Sequence, residues 1–197
     1  MTDPELLAEF DRRFHDNPDP WAFETSAYEQ RKRAATVEAC GDLHGCRVLE
    51  LGAANGVLAA DLAPSASELV AVEAVPEAAR LAAERLARWP QASVTQGLIP
   101  ADVPGGPYDV VVASEILYYL DHAAYERALV ELPGWLAAGG RVVAVHWRPT
   151  SSERPRSAED VHADLAAHPA LALVTALRDP EYLLSVLVAD RTPKGRP

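Results

Sequence analysis

The residues best placed to do chemistry are Glu50-Leu51-Gly52-Ala53-Ala54-Asn55-Gly56 and, 21 residues after Gly52, Glu73. Gly52 and Gly56 free the backbone to turn sharply and to approach a ligand closely. A carboxylate at the end of the following strand can accept from both hydroxyls of a ribose. A dinucleotide fingerprint needs Gly-x-Gly-x-x-Gly, whereas this turn reads Gly-x-x-x-Gly, and no Gly-Lys-Ser/Thr follows to make a P-loop. The pattern points to a nucleoside without phosphates. S-adenosylmethionine (SAM) is such a ligand.

These residues need a frame. Arg47–Leu51 reads as a short strand, and a small-residue helix follows from Gly56 to about Leu62. Glu68–Glu73 is a second strand, and Pro76 suits the first residue of a helix running to about Arg88, where a missing N–H costs nothing. Ala92–Thr95, Asp109–Ala113 and Arg141–His146 continue the strands, with a helix capped by Asp121 running through Leu132 and stopped by Pro133-Gly134. Ser157 caps a helix to about Ala167; Leu171–Leu177 and Tyr182–Val188 close the domain. Ahead of all this, Ser26-Ala27-Tyr28-Glu29 fits a capping box for a helix ended by Gly41. Strand–helix alternation implies an α/β fold, a Rossmann-like sheet with helices on both faces. The last two strands, joined by four residues (Arg178–Glu181), are too close for a crossover helix. The sheet is therefore expected to have seven strands, mostly parallel, with one antiparallel strand near an edge. Ligands in such sheets bind beyond the carboxyl ends of the strands, which directs attention to Gly52–Gly56, Glu73, Gly97–Ile99, Ser114–Tyr119 and His146–Arg148.

Composition narrows the class. The chain has 197 residues, a formal net charge of -11, 49% hydrophobic and 24% charged residues, enough for one domain with a modest extension. No window approaches the roughly 18 uncharged apolar residues of a membrane span. The acidic start MTDPELLAEF lacks a secretory signal, so a cytoplasmic protein is expected. With 18 basic against 29 acidic residues, a broad polyphosphate-binding face, and hence nucleic acid, is disfavoured as a partner. Cys40 and Cys46 are expected to be reduced thiols, and no zinc-finger spacing or Asp/Asp/Asn set suggests a metal. All three phenylalanines, Phe10, Phe14 and Phe23, lie with Trp21 in the first 24 residues. That segment is either a satellite core or a cover over a ligand. The chain divides into an aromatic segment and helix (1–40), a nucleoside-binding domain (41–190) and a tail expected to be disordered (191–197).

At this point the chain resembles the class I SAM-dependent methyltransferases, whose first-strand motif is Asp/Glu-x-Gly-x-Gly-x-Gly. Glu50, Gly52 and Gly56 match, and Ala54 replaces the middle glycine. The resemblance narrows to NodS-like enzymes through Asp19-Pro20-Trp21-Ala22-Phe23-Glu24-Thr25-Ser26-Ala27-Tyr28-Glu29, Ser114-Glu115-Ile116-Leu117-Tyr118-Tyr119-Leu120, His146-Trp147-Arg148-Pro149 and the Ala-Ala in the glycine loop. It covers about residues 15–190. It implies SAM as cofactor and S-adenosylhomocysteine (SAH) as product, with Glu73 on the ribose and Gly97-Leu98-Ile99 near the adenine. The implied cofactor set is Glu50, Gly52, Ala53, Ala54, Gly56, Glu73, Ala74, Gly97, Leu98, Ile99, Ser114 and Glu115. The implied reaction is N-methylation of a small-molecule acceptor such as an amino sugar or natural-product amine. O-methylation on the same scaffold and a non-catalytic SAM-binding partner are the alternatives.

Methyl transfer from a sulfonium is an in-line displacement that needs the nucleophile about 3 Å from the methyl carbon and water excluded. An amine attacks only when unprotonated. Glu115 and His146 fall just past two neighbouring strand ends; one is expected to accept or relay the amine proton while the other orients it, His having the better unperturbed pKa. The plainer roles are a packed histidine and, for Glu115, a salt bridge to Arg148 or a cofactor anchor. Of Tyr118 and Tyr119, one is expected in the core and one in the pocket. Trp147 offers a flat face to a sugar ring or cation. His162 faces the pocket or solvent. Arg148, Arg154 and Arg156 bind an anionic acceptor group or form a solvated loop. Trp21, Phe23 and Tyr28 are suited to a lid over the sulfonium.

Overall fold

A computed structural model of the chain describes residues 3–149 and 154–189. The expected disordered tail, 191–197, lies outside the described residues, as do residues 150–153 of the Arg148–Arg156 loop. The chain opens with helix α1 (Pro4–Asp16) and α2 (Ala27–Cys40). Strands and helices then alternate: β1 (Arg47–Leu51), α3 (Val57–Leu62), β2 (Glu68–Glu73), α4 (Pro76–Leu86), β3 (Ala92–Gln96) and β4 (Tyr108–Ser114). A 3-10 turn, Leu117–Tyr119, leads to α5 (His122–Trp135), β5 (Leu136–Trp147), α6 (Ala158–Ala166), β6 (Leu171–Arg178) and β7 (Tyr182–Ala189). Seven strands form one sheet in the order β3-β2-β1-β4-β5-β7-β6. β7 runs antiparallel to both its neighbours, and the other pairings are parallel. Strand order reverses between β1 and β4, so the loops leaving these strands diverge and open a crevice.

Both faces of the central strands are buried, as their near-continuous apolar runs require, whereas the edge strand β6 is exposed beyond Leu171. On one side β1, β4 and β5 pack against Tyr125, Leu132 and Trp135 of α5 and Val161 and Leu165 of α6. On the other they meet Cys40 of α2, Ala59 and Leu62 of α3, and Leu86 of α4. A third cluster joins Phe10 and Phe14 of α1 to Val75 and Ala78 at the start of α4. Both cysteines are free thiols.

Three local readings change. The helix α1 was not anticipated among the aromatics of the first segment, although Asp3 caps it by accepting the Glu5 N–H at 2.9 Å and Pro4 opens it. Pro133 does not stop α5 but sits in its last turn. It supplies no N–H to the Leu129 carbonyl, and the His168 ring takes that carbonyl instead at 3.1 Å. The capping box of α2 is half formed. Ser26 Oγ accepts the Glu29 N–H at 3.4 Å, but the Ser26 N–H donates to the Ala22 carbonyl and the Glu29 carboxylate turns to Lys32 at 3.0 Å.

Two glycines hold the crevice open. Gly52 (φ 73°) lets the chain leave β1 against Ile116, whose Cβ would lie 2.8 Å from an added Cβ. Gly56 (φ 77°) begins α3, and a Cβ there would meet the Ala82 Cα at 2.9 Å. Gly56→Ala is therefore expected to cost roughly 2 kcal/mol, from left-handed backbone strain and the backbone clash together. Urea unfolding should show a lower midpoint at unchanged slope.

Candidate active site

The crevice holds a cavity of about 470 Å³, within the roughly 300–1,000 Å³ of small-molecule sites. Glu50, the Gly52–Asn55 loop and Glu73 line it from β1 and β2. Ser114, Glu115, Tyr118, Tyr119, Trp147 and Arg154 line it from beyond β4 and β5. Phe10, Phe14, Trp21, Phe23, Tyr28, Glu29 and Lys32 close it from the N-terminal elements. Neighbouring strands lie about 4.8 Å apart, so β2 and β5, separated by β1 and β4, put the two lined ends some 14 Å apart.

At the first end Glu73 is 6% exposed. Its carboxylate accepts the N–H of Ala54 at 2.7 Å and of Val75 at 2.8 Å, tying the glycine loop to the end of β2. Burial raises its pKa while these N–H bonds oppose the rise. Ala54 itself has φ 49°, the left-handed region where a glycine stands in the family motif. Glu50 is 2% exposed and its Oε2 has no hydrogen-bond partner among the described residues. Burial first, and the Glu73 charge second, push its pKa up to about 8. Two buried carboxylates facing one cavity, one with an orphaned oxygen, suit a cationic nucleoside rather than a phosphate ligand. The donor set thus fits the ribose, ammonium and sulfonium of SAM.

At the other end Glu115 (φ 58°) leaves β4 in a conformation that is costly for a non-glycine residue. Its carboxylate accepts from Lys32 Nζ at 2.8 Å, the Trp147 N–H at 3.0 Å and the Tyr118 hydroxyl. Lys32 is 4% exposed and also bonds Glu29 at 3.0 Å. Burial lowers the Lys32 pKa, but the charges of Glu115 and Glu29 more than reverse this and hold it above the ordinary lysine value. The salt bridge considered for Glu115 exists, with Lys32 rather than Arg148. The Tyr28 hydroxyl, over whose ring Lys32 lies at 4.9 Å, is buried without a hydrogen-bond partner among the described residues.

Some expected site residues lie elsewhere. His146 is fully buried and does not border the cavity. Its Nε2 accepts the Leu117 N–H at 3.3 Å, so the ring proton sits on Nδ1 and faces His162 Nε2 at 3.2 Å. His162 in turn donates from Nδ1 to Ser185 Oγ at 2.7 Å. Burial, then the facing His162, holds His146 well below the ordinary imidazole range, and burial takes His162 down to about 4. The pair is a hydrogen-bonded relay in the core, and neither ring borders the cavity. His162 is buried, where sequence favoured pocket or solvent. Arg148 is also outside the cavity, bonding Glu159 at 3.0 Å and the carbonyls of Asp179 and Pro180 at 3.1 Å. Arg156 is tied to the Leu120 carbonyl at 2.9 Å. Gly56, Ala74, Gly97, Leu98 and Ile99 do not border the cavity; the Gly97 N–H bonds the Glu73 carbonyl and Ile99 is 2% exposed. Tyr118 packs in the core, as expected of one of the pair, and both Tyr118 and Tyr119 border the cavity. Sequence reasoning missed Lys32, Arg33 and Glu29 as lining residues. The one available signal for Lys32 was its rarity, since the chain's other lysine is Lys194.

The sheet order and this two-ended cavity are those of a class I SAM-dependent methyltransferase. The family model "Nodulation protein S (NodS)" matches residues 5–147, and the chain belongs to the NodS family. Nodulation protein S of Azorhizobium caulinodans is 31% identical over 145 residues, covering 66% of this chain and 68% of that protein. Nodulation protein S of Bradyrhizobium diazoefficiens is 32% identical over 121 residues, covering 60% of this chain, which spans 58% of that relative. The crystal structure of N-methyltransferase NodS from Bradyrhizobium japonicum WM9 in complex with SAH aligns at TM-score 0.85 and 25% identity, covering 93% of this chain and 98% of that one. Among the described residues, no helix is long and apolar enough to cross a membrane.

The raised Glu50 has a measurable consequence. Its carboxyl is neutral in the folded chain up to about pH 8, whereas unfolded Glu ionises near 4.3. The folded state holds the extra proton between these values, so stability falls as pH rises through that window and is greatest below it. Chemical denaturation of the ligand-free protein should show this loss, and Glu50→Gln should flatten it.

Proposed function

We propose that this methyltransferase N-methylates a small-molecule amine, an amino sugar or a related natural-product amine, in the cytoplasm. The carrying observation is that one cavity joins the Glu50–Glu73 end to the Glu115 end. When bound, SAM supplies an electrophilic sulfonium methyl and leaves as SAH. Glu73 accepts the ribose hydroxyls, Glu50 and the Gly52–Asn55 backbone receive the methionine part, and Ser114 borders the region between. A carboxylate has about four lone-pair directions; three of those on Glu115 are taken by Lys32, Tyr118 and Trp147. The remaining one accepts an N–H of the acceptor and aims the nitrogen at the methyl. As the nitrogen gains positive charge, the fixed carboxylate stabilises it and takes or passes on its proton. Trp21, Phe23 and Tyr28 act as a lid that excludes water; the lid is held to the glycine loop by the Asn55 amide, which donates to the Pro18 carbonyl at 2.9 Å. Tyr118, Tyr119 and Trp147 border the acceptor.

A panel of amines and matched alcohols, read by SAH release, tests this. Turnover is expected with amines, and Glu115→Gln should lower kcat about 100-fold with SAH affinity changed by less than roughly three-fold. Turnover of alcohols alone, or near-normal kcat in the variant, contradicts the reading.

A further inference from the structure

Three cationic side chains line the cavity: Lys32, Arg33 and Arg154. Lys32 is neutralised by Glu29 and Glu115, and Arg33 by Asp61 at 2.6 Å. Arg154 is 9% exposed and has no carboxylate partner among the described residues. Its Nη1 donates to the Trp147 carbonyl at 3.2 Å and its Nη2 to the Pro149 carbonyl. The guanidinium carbon lies 4.5 Å from the centre of the Tyr118 ring and 4.9 Å from that of Trp147. The aromatic rings and carbonyls hold the fork in place but do not neutralise it. A guanidinium has five N–H donors, and among the described residues two carbonyls take up only part of this fork's capacity. Burying a charge without an opposite partner is costly, and a loop anchor alone would not need the charge.

We infer that Arg154 recognises an anionic group, a carboxylate, sulfate or phosphate, carried by the methyl acceptor beside its amine. Trp147 spaces the two recognition points: its N–H donates to Glu115 and its carbonyl accepts from Arg154. Both recognition points are thus tied to the backbone of one residue: the amine meets Glu115, and the anion meets the guanidinium fork, where a planar acid group can be bound by two parallel N–H bonds. This rests on the N-methylation reading and narrows its acceptor to amines that also bear an acid.

Calorimetric titration of the SAH-loaded protein with phosphate, sulfate and acetate separates the three anion types without needing the true acceptor. At least one should bind saturably. Arg154→Met should weaken that binding ten-fold or more while leaving SAH affinity within roughly three-fold; Arg154→Lys, which keeps the charge, should retain part of it. In turnover, glucosamine 6-phosphate or glucosamine 6-sulfate should outcompete glucosamine, and Arg154→Met should abolish the preference. No saturable anion binding by wild type, or equal binding by Arg154→Met, overturns the inference. Turnover of neutral amines with no preference for acids overturns it alone. Failure of every amine overturns the reading it rests on, and the inference with it.

Discussion

The architecture of the site depends on one buried carboxylate. Glu73 ends β2 beside the switch in strand order, and its two oxygens accept the N–H groups of Ala54 and Val75. Those bonds fix the glycine loop relative to the neighbouring strand. They also oppose the rise in the Glu73 pKa that burial causes, in a cavity whose other buried acid, Glu50, is driven neutral by the same burial. A low-dielectric pocket with this surplus of acid is complementary to a cation that also carries donor hydroxyls. The positive ligand and the shape of the loop are therefore two consequences of one placement.

The same logic recurs at the other end with the opposite balance. Lys32, one helical turn beyond Glu29 on α2, reaches across to Glu115, so a charge from the N-terminal elements completes a site built on β4 and β5. The aromatic segment is joined to it by stacking, with Trp21 set edge-on to Phe10 and Phe14 at 5.3 and 5.4 Å, and Phe10 to Tyr119 at 5.5 Å. Helices α1 and α2 and the segment between them thus line the cavity and bring charge to it. Arg33 and Arg85 reinforce this by bonding the Phe23 carbonyl and the Glu24 carboxylate.

Much of this was legible in the sequence because it is local. The glycine spacing, the acid 21 residues on, the apolar strands and the tight β6–β7 connection each report on neighbours along the chain, so the strand–helix alternation and a mostly parallel seven-stranded sheet followed. What was hidden is what depends on partners distant in sequence. Lys32 meets Glu115 across 83 residues, and nothing in α2 announces it. His146 sits at a strand end suited to catalysis, yet its ring turns into the core because Leu117 and His162 satisfy both nitrogens there. Arg148 and Arg154 share one short loop, but only the second faces the cavity, a distinction set by Glu159 and the Asp179–Pro180 carbonyls. The helix α1 was legible in principle from Asp3-Pro4 and the four-residue spacing of Phe10 and Phe14, but its aromatics drew attention to packing instead.

Calorimetric titration with SAH addresses most directly whether Glu73 organises the SAM site. Micromolar binding by wild type and a loss of ten-fold or more, ~1.4 kcal/mol, in a folded Glu73→Ala variant are expected. Unchanged affinity in that variant, or no binding by a well-folded wild type, would contradict this role for Glu73.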